Sequence, residues 1–268
     1  MKKQVTILIP NYKTPELTKL CLRLIRKHTD QRMIDVIVID NDSNDESLAY
    51  LRSLSWITLL ERKPIPEEGA ISSHSRALDL ALEQVNTPYV LSIHTDTLIS
   101  HPLWLTFLLS QIQKRPTIAG VGSWKLETKP FWRQALKTVE RNAQLAYYHL
   151  MGKAHGIEGA GDNYYYLRSH CAMYRMDLIR KFDLRFSGGD KVAGKDMHQQ
   201  LVHAGYEMIF LPSNVLVNYL NHINHATTVL NPELSTRAKS IDKGLRRIQD
   251  SLRNMNGDMI LRDTSLDY

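Results

Sequence analysis

The chain has 268 residues, 43% of them apolar, 23% charged and 8% aromatic, with a formal net charge of +6. That length can bury one sizeable core, or one core with an appendage, and the composition is ordinary for a soluble globular protein. No apolar stretch approaches the ~18 to 20 residues of a membrane span. The apolar run after Met1 is too short for a signal peptide, so the expectation is a cytoplasmic protein made without a targeting segment. Only Cys21 and Cys171 occur. Both lie in apolar context, which points to buried free thiols in a reducing compartment.

In chain order, residues 5–9 read as a buried strand. Pro15 opens a helix whose stripe is Leu17, Leu20, Cys21, Leu24 and Ile25. Residues 36–39 form a second buried strand closed by the polar run 40–45, and 57–60 a third. Leu78, Ala81, Leu82 and Val85 stripe the next helix, 89–93 is a strand, 102–114 is helical and 118–121 is a strand. This alternation predicts an α/β fold: a central, mostly parallel sheet with helices on both faces. A long helix is expected over 131–150, a Gly- and Tyr-rich loop over 159–166 and a strand over 172–174. Helices follow at 176–181 and 196–204, the latter ended by Gly205. Residues 208–211 and 215–219 read as strands, and 233–252 as a closing amphipathic helix. One compact domain is expected over 1–228, in halves 1–123 and 124–228, with 229–268 as a C-terminal helix and tail.

Charge is local. Residues 124–153 carry an excess of four basic charges and 231–254 an excess of three. Either this is a surface for an anionic partner or it is a pair of solvated helix faces. Strand ends of open parallel sheets are where such sheets bind ligands. Two acidic clusters fall there: Asp40-Asn-Asp-Ser43-Asn-Asp45 and His94-Thr95-Asp96. The first fails as a calcium loop, because its sixth position is Asp45 rather than Gly and its twelfth is Leu51 rather than Glu. Gly120-Val-Gly122 fails as a dinucleotide fingerprint because Lys125 takes the third glycine's place. No phosphate-binding P-loop occurs. No tight His/Cys spacing marks a zinc site among the 11 histidines. The acidic strand ends also argue against a nucleic-acid groove.

Ile7-Leu-Ile-Pro10-Asn-Tyr12, the 36–45 run, His74-Ser-Arg76 and Ile93-His-Thr-Asp96 together resemble the family 2 glycosyltransferases of the GT-A fold. A weaker match continues through 168–186 and through Gly194-Lys-Asp196. The resemblance implies that Pro10, Tyr12, Asp40 and Ser43 line the nucleotide pocket, and that His74, Arg76, His94 and Thr95 contact the donor. Asp96 matches the metal-binding aspartate of the family's Asp-X-Asp motif, with His94 in place of the first acid. His222 or His225 matches a histidine that binds the metal or the diphosphate. Asp196 matches the catalytic base, with Lys195 in place of the preceding Glu, and Asp190 is the reserve. As a residue type, Asp196 also suits a helix N-cap.

The function implied is metal-dependent, inverting transfer of a sugar from a nucleotide-diphosphate donor, UDP-sugar first, with Mn²⁺ or Mg²⁺. The acceptor is a glycan or lipid-linked glycan, as in bacterial surface polysaccharide synthesis. The alternative is a catalytically inactive nucleotide-sugar-binding relative. The mixed basic and aromatic residues of 124–150 and the C-terminal helix suggest an inner-leaflet membrane surface contact. Their apolar stripes would otherwise pack on the sheet or in a homodimer.

Overall fold

The structure is a computed structural model that describes residues 2–126, 142, 143, 147, 159, 163–190, 192–224, 226–231 and 238–268. Most of the helix expected over 131–150 lies outside the described residues. The strands are β1 (Val5–Asn11), β2 (Ile34–Asp40), β3 (Thr58–Glu61), β4 (Tyr89–Ile93), β5 (Thr97–Ile99), β6 (Ile118–Gly122), β7 (Cys171–Arg175), β8 (Glu207–Phe210) and β9 (Leu220–His222). The helices are α1 (Pro15–His28), α2 (Glu46–Ser53), α3 (Ala70–Leu82), α4 (Trp104–Ile112), α5 (Met176–Lys181), α6 (Lys195–His203), α7 (Ser213–Leu216), α8 (Ala226–Leu230), α9 (Ala238–Asn254) and α10 (Gly257–Arg262).

Seven strands form one sheet in the order β3-β2-β1-β4-β7-β6-β8. β1 pairs in parallel with β2 and β4, and β2 with β3. β7 runs antiparallel to both β4 and β6. The order reverses beside β1, so the carboxyl ends of β1, β2 and β4 open together at one edge. The central strands alternate between two cores. Ile7, Val36, Val38 and Leu91 face α1, α4 and α10, whereas Leu8, Ile37, Ile39 and Val90 face α3, α5 and α6. Each such side chain contributes roughly 1.5–3 kcal/mol on burial, which fixes the strand register and hence the place of every loop.

Local chemistry explains the elements that the sequence pattern marks weakly. α2 starts where the Asp45 carboxylate accepts the Ser47 amide at 2.9 Å, a side-chain N-cap. The glycines Gly120 and Gly122 allow β6 to lie close on β7: a Cβ at Gly122 would sit 2.2 Å from the Cys171 carbonyl oxygen. Residues 215–219, expected as a strand, instead include the end of α7, and the strand β9 follows. Val and Leu favour a strand, but Ser213 after Pro212 starts a helical turn whose NH groups bond back to Pro212 and Ser213. The three-residue strands β5 and β9 pair antiparallel, with Thr97 opposite His222.

The C-terminal segment joins the main core. Ile248 and Ile260 are buried with β1 and α1, and Ile241 and Leu252 pack against them. Arg23 of α1 donates to the Ile260 and Leu261 carbonyls and to both carboxylate oxygens of Asp267, and Tyr50 donates to Asp267 at 2.7 Å. Ile241, Ile248 and Leu252 of α9 are thus covered within the chain, whereas Leu245 is exposed. Lys243, Arg246, Arg247 and Arg253 of the same helix face outward. Both cysteines are free and buried. No helix among the described residues is long and apolar enough to cross a membrane.

Candidate active site

Two clefts open at the carboxyl ends of β1, β2 and β4. The first, of about 410 Å³, lies between Tyr12 and Lys13 after β1 and the 41–45 loop after β2. Its floor is a closed hydrogen-bond network. Asn11 Nδ2 donates to Asp40 Oδ1 at 2.7 Å, Ser47 Oγ at 2.9 Å and Ser43 Oγ at 3.2 Å. Thr18 Oγ1 donates to Asn11 Oδ1 at 2.6 Å, and the Ser43 amide donates to Asp40 Oδ2 at 3.0 Å. Asp40 is 1% exposed and both its oxygens are engaged within the protein. Tyr12 and Ser43 line the cleft, whereas Pro10 is half-buried on β1 two residues before Tyr12. Asp42 and Asn44 take positive φ values of 60° and 50°, which short polar side chains tolerate. They fold the loop over the network.

The second cleft, of about 390 Å³, is lined by His94, Asp96, His222, Arg168, Lys125 and Tyr166 among others. Thr95 does not face it: the residue is buried, with its hydroxyl 3.1 Å from that of Thr14. That contact ties the loop after β4 to the loop after β1. Pairing of β5 with β9 carries His222 to Asp96, leaving Nε2 3.2 Å from Oδ1, and His94 Nδ1 lies 3.8 Å from the same oxygen. The ligand atoms of His94, Asp96 and His222 all fall within 4.8 Å of one another. Spacing along the chain marks no zinc site, yet the fold brings His94 and Asp96 of the loop after β4 against His222 of β9, one of the two histidines that the resemblance pointed to.

Asp96 is 4% exposed, and burial opposes its charge. The imidazoles of His222 and His94 and the Ala226 amide outweigh that cost and hold its carboxyl below the usual carboxylate range. Burial, reinforced by His74, holds His94 well below the usual imidazole range, and burial does the same to His170. These rings are neutral, the form in which histidine binds metal. Asp96 Oδ1 and the ring nitrogens of His222 are buried and meet no well-aligned hydrogen bond, their one polar approach being the 3.2 Å contact between Oδ1 and Nε2. Unpaired buried polar atoms are costly. A divalent cation between one oxygen and imidazole nitrogens would satisfy them, so the residues fit such a group.

A second layer surrounds this cluster. Ser169 Oγ lies 2.9 Å from His94 Nε2 and 3.0 Å from His74 Nε2. His170 stacks on His222 with ring centroids 4.5 Å apart, and its Nε2 is 2.9 Å from Ser123 Oγ. Ser169 and His170 carried no role in the sequence reading. Their position just before β7, in the stretch that weakly resembles the family, was the available signal. Arg168 stacks 4.5 Å over the Trp124 ring. Arg76 is exposed and pairs with Glu68 at 3.3 Å on the outer face of α3. His74 is on the same helix but turns toward His94, with ring centroids 4.9 Å apart.

Asp196 stands in the first turn of α6. It is not the cap: Gly194, at φ 75°, holds that position without a side-chain bond. The cap reading is therefore replaced by a first-turn acid, favourable to the helix dipole. Asp196 Oδ2 accepts from Gln200 at 2.6 Å and lies against Gly188, where a Cβ would come within 2.7 Å. Asp196 is not among the residues lining the second cleft; Val192, just before α6, is. Asp79 of α3 fixes this region, accepting the amides of Phe186 at 2.6 Å and Ser187 at 3.2 Å. Asp190 ends the short turn Gly188–Asp190, and its side chain lies outside the described residues, as does His225.

A model of glycosyl transferase family 2 matches residues 6–182. The chain belongs to that family. Its fold is the family's: a mannosyltransferase, PcManGT from Pyrobaculum calidifontis in complex with GDP-Man and Mn²⁺, aligns at 18% identity with a TM-score of 0.55. That alignment covers 79% of this chain and 55% of the other, so this family 2 chain spans little more than half the length of that relative. S. aureus TarS aligns at 14% identity with a TM-score of 0.54, covering 93% of this chain and 71% of the other. The search of curated proteins found no match.

Proposed function

We propose that this chain is a metal-dependent, inverting glycosyltransferase that moves a sugar from a nucleotide-diphosphate donor to a hydroxyl acceptor. The observation that carries the reading is the convergence of donor atoms at the carboxyl end of the sheet, with His222 Nε2 3.2 Å and His94 Nδ1 3.8 Å from Asp96 Oδ1. In the reading, Tyr12, Ser43 and the 41–45 loop take the nucleoside, and the cleft at Asp96 takes the diphosphate. The hydroxyl contact between Thr14 and Thr95 holds the two clefts in fixed relation. Asp96 and His222 would hold a divalent cation, whose chemistry when bound would be Lewis-acid stabilisation of a departing diphosphate. Arg168 and Lys125, on the wall of the same cleft, add positive charge there. Asp196, or Asp190 in its place, removes the proton of the attacking hydroxyl. With one base and no protein nucleophile, displacement is single and the anomeric centre inverts.

UDP-sugar is the donor in this reading, and a glycan or lipid-linked glycan of a bacterial surface polysaccharide is the acceptor. The outward Lys and Arg residues of α9 support contact with an anionic membrane face. Thermal shift with a panel of nucleoside diphosphates tests the donor site. UDP is expected to raise Tm in the presence of Mn²⁺ and much less without it; no shift with any nucleotide would end the reading.

One observation favours a second reading, a nucleotide-sugar-binding relative without turnover. Asp196 is engaged by Gln200 and stands off the wall of the metal cleft. Turnover of a donor with Mn²⁺, lost in Asp196→Asn, separates the two.

A further inference from the structure

We propose that His94 is a third ligand of the ion held by Asp96 and His222, and that this nitrogen-rich seat takes a transition-metal dication in preference to Mg²⁺. The proposal deepens the reading above and borrows from it only that an ion binds at Asp96.

The geometry of His94 points to its Nδ1 as the ligand atom. Nε2 is occupied by the Ser169 hydroxyl at 2.9 Å, whereas Nδ1 faces the Asp96 carboxylate across 3.8 Å. Ser169 has a single hydroxyl proton to share between His94 and His74, which lies 3.0 Å from it on the other side. If Nδ1 of His94 is to offer a lone pair, Nε2 carries the proton and donates to Ser169. The Ser169 hydroxyl then donates to Nε2 of His74. The chain of bonds closes without conflict and fixes the tautomer that a ligand needs, the usual task of a group behind a metal-binding histidine. On the opposite side, His222 has both nitrogens buried, Nε2 aimed at Asp96 Oδ1, and is stacked on His170 at 4.5 Å. Ligand bonds of about 2.0–2.2 Å place neighbouring donors about 3 Å apart, close to the 3.2 Å of the His222–Asp96 pair.

The selectivity follows from the donor type. Mg²⁺ demands hard oxygen ligands and keeps most of its water. Imidazole suits Zn²⁺, Co²⁺ and Fe²⁺, and the stability order of divalent ions rises from Mn²⁺ toward Cu²⁺. An aspartate at position 94 would leave an oxygen-rich seat open to Mg²⁺. Histidine there gives two nitrogens and one oxygen.

The test needs no nucleotide, sugar or turnover. Pulsed EPR of the full chain loaded with Mn²⁺ alone should show nitrogen couplings from both imidazoles, and Mg²⁺ at about 100-fold excess should not displace the ion. Couplings from one imidazole only, or ready displacement by Mg²⁺, would overturn the proposal on the unmodified protein. In His94→Asp one coupling should disappear and Mg²⁺ should become an effective competitor. Ser169→Ala should keep both couplings while weakening Mn²⁺ binding about 10-fold. A protein that shows both couplings yet binds no nucleoside diphosphate keeps this proposal and loses the transfer reading. One that binds nucleotide but shows a single nitrogen does the reverse.

Discussion

Two loops leave the parallel strands on either side of β1, and they treat their polar atoms in opposite ways. After β2, Asp40 has both oxygens bonded to Asn11 and to the Ser43 amide, and Asn11 in turn meets Ser43, Ser47 and Thr18. After β4, Asp96 Oδ1 and the ring nitrogens of His222 are buried too, but their one polar approach is to each other at 3.2 Å, without the alignment of the bonds after β2. A saturated cluster builds shape, whereas a poorly saturated one retains donor atoms that a ligand could use. Both are acidic strand ends in sequence. Only the count of satisfied atoms tells them apart.

The comparison can be broken by experiment. The largest effect is expected at Asp96→Ala, which should lower donor turnover about 100- to 1,000-fold and remove divalent-ion binding. Thermal stability at neutral pH should fall, because the folded protein holds this carboxyl below its usual range and so favours its charged form. A variant that keeps ion binding would refute the assignment. Asp196→Asn should lower kcat about 100-fold with little change in the KM for donor, as expected for a group that acts on the acceptor. If turnover persists, the base lies elsewhere. On the saturated side the loss should be of stability. Asn11→Ala leaves Asp40 Oδ1 without its partner, though Oδ2 keeps the Ser43 amide, and should cost about 1–3 kcal/mol in denaturant unfolding. Its effect on ion affinity should be small, whereas a large loss of ion binding would erase the distinction between the loops.

The smallest effect is on pH dependence. Burial lowers the pKa of His74 and of His198 to about 4. Their unfolded forms titrate near 6.5, so between those values the unfolded chain binds more protons. Stability should therefore fall as pH drops from about 6.5 toward about 4, and His198→Gln should flatten that slope in a Tm-against-pH series.

Much of the sheet was legible from the sequence because β1, β2, β4 and β6 are buried on both faces and read as continuous apolar runs. β5 and β9 were not, since three residues carry no period. Yet that small pairing brings His222 to Asp96. The strand expected over 215–219 failed for a related reason: branched apolar residues cannot distinguish a strand from a buried helical turn. Asp96 was recognisable by its place after an apolar run. Ser169, His170 and Asn11 were not, because their roles depend on neighbours 29 to 95 positions away along the chain.

Helix α3 bears on both halves of the proposed chemistry. His74 near its start touches the Ser169 hydroxyl that backs His94, and Asp79 farther along grips the amides of Phe186 and Ser187, upstream of Asp196. Five residues of helix separate these anchors, about 7.5 Å of stiff rod. One helix therefore braces both the backing of the ion seat and the segment that leads into the helix bearing Asp196.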